Sequence, residues 1–379
     1  MSASRPKFRI LLVDDSSVVR RVLSDLISGD PQLEVAGTAP EGRTALKRIA
    51  ELRPDLVVMD VEMPVMDGLT AVAEIRRTDR HLPIIMFSTL THRGATATLD
   101  ALTLGADDYV PKERNSLGLA ASMEDLRGDL LPKIHALCLR GLRRQGRIHA
   151  EPLPPVRRLP RPAESQIEIV TVGVSTGGPD ALSKLLPGIP QNLPVPVVMV
   201  QHMPEVFTRL LAERLSTRSP LPVKEVVGGE TLTPGTIWLA PGGKHLRLMA
   251  GLSGVRLMLD SSEPRNFCRP SVDVMIESAV EIYGKGTLAV ILTGMGSDGL
   301  HGCELVRKSG GQVIAQDEKS CIVWGMPGVV VRAGLADAIQ PLSSIASEIV
   351  QRVMRRRSRP QSARAEVRSR ESSNVQPGK

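Results

Sequence analysis

The sequence predicts an α/β protein made of two doubly wound parallel-sheet domains joined by a linker. Two observations carry that expectation. Short apolar runs alternate with stretches of helical periodicity through both parts of the 379-residue chain, the pattern of parallel sheets covered by helices on both faces. Small and acidic residues then gather where the apolar runs end, and sheets of this kind build their sites at the carboxyl edge of the strands.

Residues Lys7 to about Leu139 read as five βα units, with strands at Phe8–Val13, Leu33–Thr38, Leu56–Met59, Ile84–Phe87 and Tyr109-Val110. Between the first two, Val18, Val19, Val22, Leu23, Leu26 and Ile27 recur at helical spacing. Asp14 and Asp15 end the first strand, Asp60 the third and Ser88 the fourth, and Lys112 follows the fifth. Three carboxylates at one sheet edge repel each other unless a cation sits among them. Hard oxygen ligands with no His or Cys beside them suit Mg²⁺, which favours phosphate oxygens. A carboxylate held next to that ion can attack a phosphoryl donor and form an aspartyl phosphate. Asp60, the single carboxylate of the third strand end, is the expected acceptor. Lys112 would neutralise the phosphoryl oxygens and Ser88 would hydrogen-bond one of them. The plainer alternative is that these acids cap helices, as Asp14-Asp15-Ser16-Ser17 can.

The second domain centres on Ile169-Val170-Thr171-Val172-Gly173-Val174-Ser175-Thr176-Gly177-Gly178-Pro179, an apolar strand that breaks into a small-residue turn. Pro179 suits the first turn of a helix. Such a turn lifts the Ser175 hydroxyl clear of the sheet and aims free N–H groups, at Thr176 and Gly177, into the same space. His202 follows the apolar run Val197-Val198-Met199-Val200, and Asp298 lies in a Gly-rich loop after Val290-Ile291-Leu292. Three strand ends of one parallel sheet thus supply a nucleophile, a base and an orienting acid. Taken singly, each has another reading. A Ser in a Gly-rich turn also binds phosphate, a lone His is often structural, and an Asp in Gly-Ser-Asp-Gly often forms a turn. Gly173-Val174-Ser175-Thr176-Gly177 fits G-x-S-x-G, but the chain order Ser–His–Asp departs from that of the α/β-hydrolases.

With these residues assembled, residues 8 to about 127 resemble a response-regulator receiver domain. The likeness rests on Val13-Asp14-Asp15-Ser16, on Met59-Asp60 through Asp67-Gly68, on Ser88, and on Gly105-Ala106-Asp107-Asp108-Tyr109-Val110-Pro111-Lys112. Residues 164 to 350 resemble the effector domain of the chemotaxis protein-glutamate methylesterases. Here the matches are the Ser175 turn, Gln201-His202-Met203-Pro204, Ala240-Pro241-Gly242-Gly243-Lys244-His245, Arg269-Pro270-Ser271-Val272-Asp273, Thr293 through Gly299, and Gly325-Met326-Pro327.

The resemblance implies a flavodoxin-like receiver over residues 7–127 and a Rossmann-like three-layer catalytic domain over 164–353. Residues 128–163 would hold a helix end and a linker, and 354–379 a basic tail. It implies hydrolysis of glutamate methyl esters on chemoreceptors by Ser175, His202 and Asp298. Glutamine deamidation follows as a second activity of the same machinery. It adds the Met295 backbone to that of Thr176 as an oxyanion donor, Mg²⁺ on Asp14, Asp15 and Asp60, and no cofactor in the catalytic domain. A chemotaxis histidine kinase would phosphorylate Asp60. The switch would then run through Ser88, Tyr109 and Lys112, with the unphosphorylated receiver covering the active-site mouth. Arg269 and the Gly242–His245 loop read either as substrate contacts or as turn and surface residues.

Composition narrows the setting. Four Cys (Cys138, Cys268, Cys303 and Cys321) form neither a C-x-x-C pair nor a zinc spacing, which suits a reducing cytoplasm. No apolar h-region opens the chain and no run reaches the length of a membrane span. Net charge is +7, but residues 139–162 and 355–379 each carry +6, so the remainder carries −5. Basic charge therefore lies in segments with linker and tail composition, and no specific nucleic-acid partner is expected. A DNA-binding output module would be short and helical, unlike residues 164–350. A nucleotide site lacks both G-x-G-x-x-G and a Lys after the glycines.

Overall fold

A computed structural model describes residues 7–112, 119–144 and 165–355. Glu113 and Arg114, which follow Lys112 where receiver domains usually carry Pro, lie outside the described residues, as do the Pro- and Arg-rich stretch 151–162 and the basic residues 356–379.

The first domain has strands β1 (Phe8–Val13), β2 (Leu33–Ala39), β3 (Leu56–Asp60), β4 (Ile84–Ser88) and β5 (Asp108–Pro111). They alternate with helices α1 (Ser17–Ser28), α2 (Gly42–Leu52), α3 (Gly68–Thr78), α4 (His92–Leu104) and α5 (Leu119–Arg144). All five strands are parallel, in the order β2-β1-β3-β4-β5. Every residue of β3 and β4 is buried, as continuous apolar runs in a two-sided sheet must be. Helix starts follow local chemistry: Ser16 Oγ accepts from Val19 N at 3.4 Å and Thr91 Oγ1 from Gly94 N at 3.0 Å. The strand order reverses between β1 and β3, so the residues ending those strands, Asp14 and Asp60, border one crevice.

Helix α5 continues past residue 127. Leu130, Ile134, Leu137 and Cys138 bury into the same core as Ile10, Leu12, Val58 and Ile85. The helix end expected after 127 thus packs on β1, β3 and β4 as far as Cys138, and the helix itself runs on to Arg144.

The second domain runs β6 (Ile169–Val174), α6 (Gly178–Leu185), β7 (Val197–Gln201), α7 (Glu205–Ser216), β8 (Val223–Glu225) and β9 (Ile237–Leu239). A hairpin, β10 (His245–Gly251) and β11 (Gly254–Asp260), interrupts the alternation. Then come α8 (Val272–Tyr283), β12 (Thr287–Ile291), α9 (Leu300–Lys308), β13 (Gln312–Gln316), α10 (Met326–Arg332), β14 (Ala338–Gln340) and α11 (Leu342–Met354). Seven strands form a parallel sheet in the order β14-β13-β12-β6-β7-β9-β8. β6 is central, with the chain winding away from it on both sides. The switch-point crevice therefore opens between the ends of β6 and β12, where Ser175 and Thr293–Asp298 follow.

The two domains pack against each other through α4, β5 and α5 of the receiver. The Tyr109 ring stacks on Phe207 of α7, with centroids 4.5 Å apart and planes at 23°. Arg214, also on α7, pairs with Asp100 of α4 at 2.8 Å and donates to the Thr96 carbonyl at 2.9 Å. Arg143 of α5 pairs with Glu318 at 2.8 Å. A cavity of about 540 Å³ remains between α4 and the helices α6 and α7, lined by Leu99, Leu102, Pro179, Ser183, Leu211 and Leu215. Met295, Ile322 and Val323 of the second domain add apolar contacts to the receiver core around Val110 and Ile134.

Candidate active site

Ser175 stands just past β6, half-buried, with its N–H donating to Thr293 O at 3.0 Å. Two glycines make its turn. Gly177 has φ 76°, in the left-handed region, and a Cβ at Gly178 would fall 1.7 Å from Gln201 Oε1. Gln201 in turn donates from Nε2 to the Ser175 carbonyl at 3.0 Å and to the His202 carbonyl at 3.2 Å. This buried amide ties the ends of β6 and β7 together.

His202 and Asp298 meet: Nε2 lies 2.8 Å from Asp298 Oδ2. The carboxylate is buried and takes four further hydrogen bonds. Oδ2 accepts from Val272 N at 2.6 Å, and Oδ1 from Ser271 Oγ at 2.8 Å, Asn266 Nδ2 at 3.0 Å and Asp273 N at 3.2 Å. Asp298 thus sits on the N-terminus of α8, where free N–H groups and the helix dipole favour an anion. Burial alone would raise its pKa, but His202 and these donors outweigh it and hold the carboxyl well below its usual range. Burial likewise opposes the His202 imidazolium, yet the Asp298 hydrogen bond and the neighbouring Cys268 thiol outweigh it and raise the His202 pKa. Asp273, beside this pair, is raised by burial and by the charge on Asp298, against donors at Gly302 and Asn266.

The third member is less close. Among the described residues no hydrogen bond joins Ser175 to His202; the other ring nitrogen, Nδ1, is hydrogen-bonded with Cys268 Sγ at 3.6 Å. Ser175 still adjoins the Asp298 loop, because a Cβ on Gly294 would fall 2.7 Å from its own Cβ. No protein acceptor takes the N–H of Thr176, Gly177 or Met295 among the described residues, as oxyanion donors require.

Sequence spacing offers no His/Cys cluster in this domain, but folding makes one. Ligand atoms of His202, Cys268 and Asp298 lie within 4.8 Å of one another. They come from loops after β7, β11 and β12, so no local pattern could announce them. Two of the residues left open resolve differently. His245 is buried, with Nδ1 accepting from Ser271 N at 3.1 Å, whereas exposed Arg269 donates to the Ser261 and Ser262 carbonyls at 3.2 and 3.1 Å. Sequence reasoning assigns no role to Gln201, Asn266, Ser271 or Cys268. Only Ser271, an N-cap residue before an apolar helix, carries a readable signal.

Comparison with known proteins gives the family. Residues 170–349 match the CheB methylesterase family and residues 10–124 the response regulator receiver domain. A protein-glutamate methylesterase/protein-glutamine glutaminase from Trichodesmium erythraeum is 47% identical over 353 residues, covering 92% of this chain and 99% of its own. The chain belongs to the protein-glutamate methylesterase/protein-glutamine glutaminase family. A second member, from Nocardioides sp., is 49% identical over 357 residues, 93% of this chain and 97% of its own. The solved catalytic domain of Thermotoga maritima CheB methylesterase is 45% identical, with TM-score 0.48, covering 49% of this chain and 99% of that one.

In the receiver of this methylesterase, Asp14 and Asp60 are both buried, and Lys112 Nζ bridges them at 2.9 and 2.8 Å. Ligand oxygens of Asp14, exposed Asp15 and Asp60 lie within 4.8 Å of one another. Burial, then the charge on Asp14, outweigh Lys112 and push the Asp60 carboxyl up to about 6. An all-carboxylate donor set that one lysine leaves net negative fits a hard divalent cation. The helix-capping alternative holds only for Ser16, which caps α1. Ser88 is buried and donates to the Gly94 and Thr89 carbonyls, each at 3.2 Å, so it is engaged with the start of α4. No described helix is long and apolar enough to cross a membrane.

The receiver touches the candidate site itself. Burial raises the pKa of the Asp108 carboxyl, against the charge on Lys133 and the polar side chain of Thr176 beside Ser175. Ile322 and Met295, which flank the same crevice, pack against the receiver core that includes Val110 and Ile134.

Proposed function

We propose that this chain is a cytoplasmic, phosphorylation-activated hydrolase that removes methyl esters from glutamate side chains of chemoreceptors and deamidates receptor glutamines. The observation that carries the reading is the His202–Asp298 pair beside Ser175 at the switch point of the sheet, with the receiver packed on the adjoining Met295 and Ile322. A DNA-binding output is disfavoured by the seven-stranded parallel sheet in the place of a short helical module.

Ser175 Oγ attacks the ester carbonyl and its proton passes to His202, which accepts it in its unprotonated form. Nε2 is committed to Asp298, so Nδ1 is the accepting nitrogen and must turn from Cys268 to Ser175. Resting hydrogen bonds of this kind commonly tighten only with substrate bound. Asp298 fixes the tautomer and stabilises the imidazolium. The backbone N–H groups of Thr176 and Met295 receive the oxyanion, each worth roughly 3–4 kcal/mol by mutational precedent. The His202 proton then leaves with methanol, or with ammonia from a glutamine, and water releases the carboxylate from Ser175 by the same route.

Control runs through Asp60, phosphorylated by a chemotaxis histidine kinase. Asp14, Asp15 and Asp60 would hold Mg²⁺, which when bound neutralises phosphoryl oxygens. Lys112 moves from the Asp14–Asp60 pair to the phosphoryl group, and Ser88 exchanges the Gly94 carbonyl for a phosphoryl oxygen. Tyr109 follows Ser88 inward, which breaks its stack on Phe207 and loosens the receiver from the mouth. Asp60→Asn should therefore retain only basal methanol release and take up no label from a small phosphodonor in Mg²⁺. Label on this variant would identify another acceptor.

Removing residues 1 to about 160 should leave a folded domain that hydrolyses faster than the unphosphorylated full chain. Coupling energies of 1–3 kcal/mol, or about 5- to 150-fold, are usual between such sites. Methanol release by the two proteins is the comparison. A folded truncated domain no faster than its parent would rule out covering of the mouth and require activating contacts instead.

A further inference from the structure

Arg265 and Cys268 exchange both backbone hydrogen bonds, Arg265 N to Cys268 O at 3.1 Å and Cys268 N to Arg265 O at 2.9 Å. The two residues between them close a tight hairpin turn, with φ 53° at Asn266 and 62° at Phe267. Positive φ at both central positions is the mark of a type I′ turn, whose second position strongly favours glycine. Asn tolerates the left-handed region; a bulky residue there is a genuine outlier. Phe267 therefore strains the backbone at a position where glycine would be free of strain.

The fold gains nothing from that ring. Phe87 and Phe207 are buried, whereas Phe267 is fully exposed at 104% relative accessibility. Yet the turn is anchored firmly. Asn266 Nδ2 bonds Asp298 Oδ1 at 3.0 Å and Asp273 Oδ2 at 2.8 Å, and Arg265 pairs with Glu277 at 2.6 Å. On the other side Cys268 Sγ lies 3.6 Å from His202 Nδ1. Phe267 is thus tethered one residue from a side chain on Asp298 and one residue from a side chain on His202. It projects outward at the rim, on a part of the surface that the docked receiver leaves open. Strain kept without a packing return, next to reacting groups, points to function.

Resting on the hydrolase reading above, we infer that Phe267 is a substrate-docking residue. It packs on apolar side chains of the polypeptide that carries the glutamyl ester or glutamine. A glutamate side chain is short, so its polypeptide must lie against the rim of any crevice that receives its ester. An aromatic that is rigid, exposed and pre-placed contributes contact area at little entropic cost, as interface anchors do. The occupant is thus a protein segment and not a free amino-acid ester.

The test compares two substrates on the full chain: a methylated cytoplasmic fragment of a chemoreceptor and N-acetylglutamate γ-methyl ester. The expected result for Phe267→Ala is a fall of about tenfold in the ratio of kcat/KM for the protein over that for the small ester, carried by KM. Phe267→Trp should restore the ratio. Phe267→Gly should lower it likewise while raising Tm, because glycine relieves the left-handed position. An unchanged ratio, or equal losses on both substrates, would overturn the inference. Ser175-dependent methanol release by the parent protein tests the underlying reaction separately: release from neither substrate sinks the hydrolase reading, whereas release from both with an unchanged ratio sinks only the role of Phe267.

Discussion

Ser175→Ala is expected to abolish methanol release from methylated receptors, with a loss of at least a thousandfold in kcat/KM and little change in stability. The size follows from chemistry: without the hydroxyl no acyl-enzyme forms, and triad deletions cost orders of magnitude. The small stability effect follows from structure. Ser175 is held through its backbone, by Thr293 O, Gly178 N and Gln201 Nε2, and no described partner binds its Oγ. Phosphorylation of Asp60 in this variant should be normal, since the receiver site is built wholly from its own domain. Adding His202→Ala to Ser175→Ala should cost almost nothing more, because residues acting as a unit do not contribute additively. Methanol assays on the single and double variants check both statements. Retention of more than about a tenth of the activity by Ser175→Ala would remove it as the nucleophile, given the precedent for triad losses.

Asp298→Asn should lose about 10³- to 10⁴-fold in kcat, by analogy with other triad acids, while KM moves little. The substitution replaces an acceptor oxygen by an amide donor. Five donors converge on this carboxylate: His202, Val272 N, Ser271, Asn266 and Asp273 N. An amide nitrogen placed among them must face at least one donor with another. His202 then loses its tautomer and its electrostatic support together. A stability loss of roughly 1–3 kcal/mol should accompany the change, from buried donors left unpaired. Kinetics and thermal unfolding measured on one preparation separate the two effects. A loss of less than tenfold in kcat would mean that Asp298 serves the fold of the α8 terminus and not the reaction.

Much of this was legible in the chain because buried parallel strands are continuous apolar runs with abrupt ends. The runs before Asp14, Ser88, Ser175 and His202 mark β1, β4, β6 and β7 to within a residue or so, and strand order alone then places their ends at two crevices. What was not legible depends on tertiary approach. The pairing of His202 with Asp298 through Nε2, and the presence of Cys268 at Nδ1, join loops 96 and 66 residues apart. The N-cap signal of Ser271 predicts where α8 starts, but not that its free N–H groups will hold Asp298. Docking of Tyr109 on Phe207 has no local pattern at all, because an aromatic in a strand and another in a helix look like ordinary core residues until the domains meet. The boundary within α5 is hidden for a related reason: the helix outlasts the motifs of the receiver and continues burying Leu130, Ile134 and Leu137.

The most direct measurement is methanol release by the full chain before and after a small phosphodonor is added in Mg²⁺, with Asp60→Asn and Ser175→Ala alongside. The account predicts a rise of about 5- to 150-fold for the parent, no rise for Asp60→Asn, and no release at all by Ser175→Ala. A parent rate that stays constant while Asp60 demonstrably carries the phosphoryl group would contradict it.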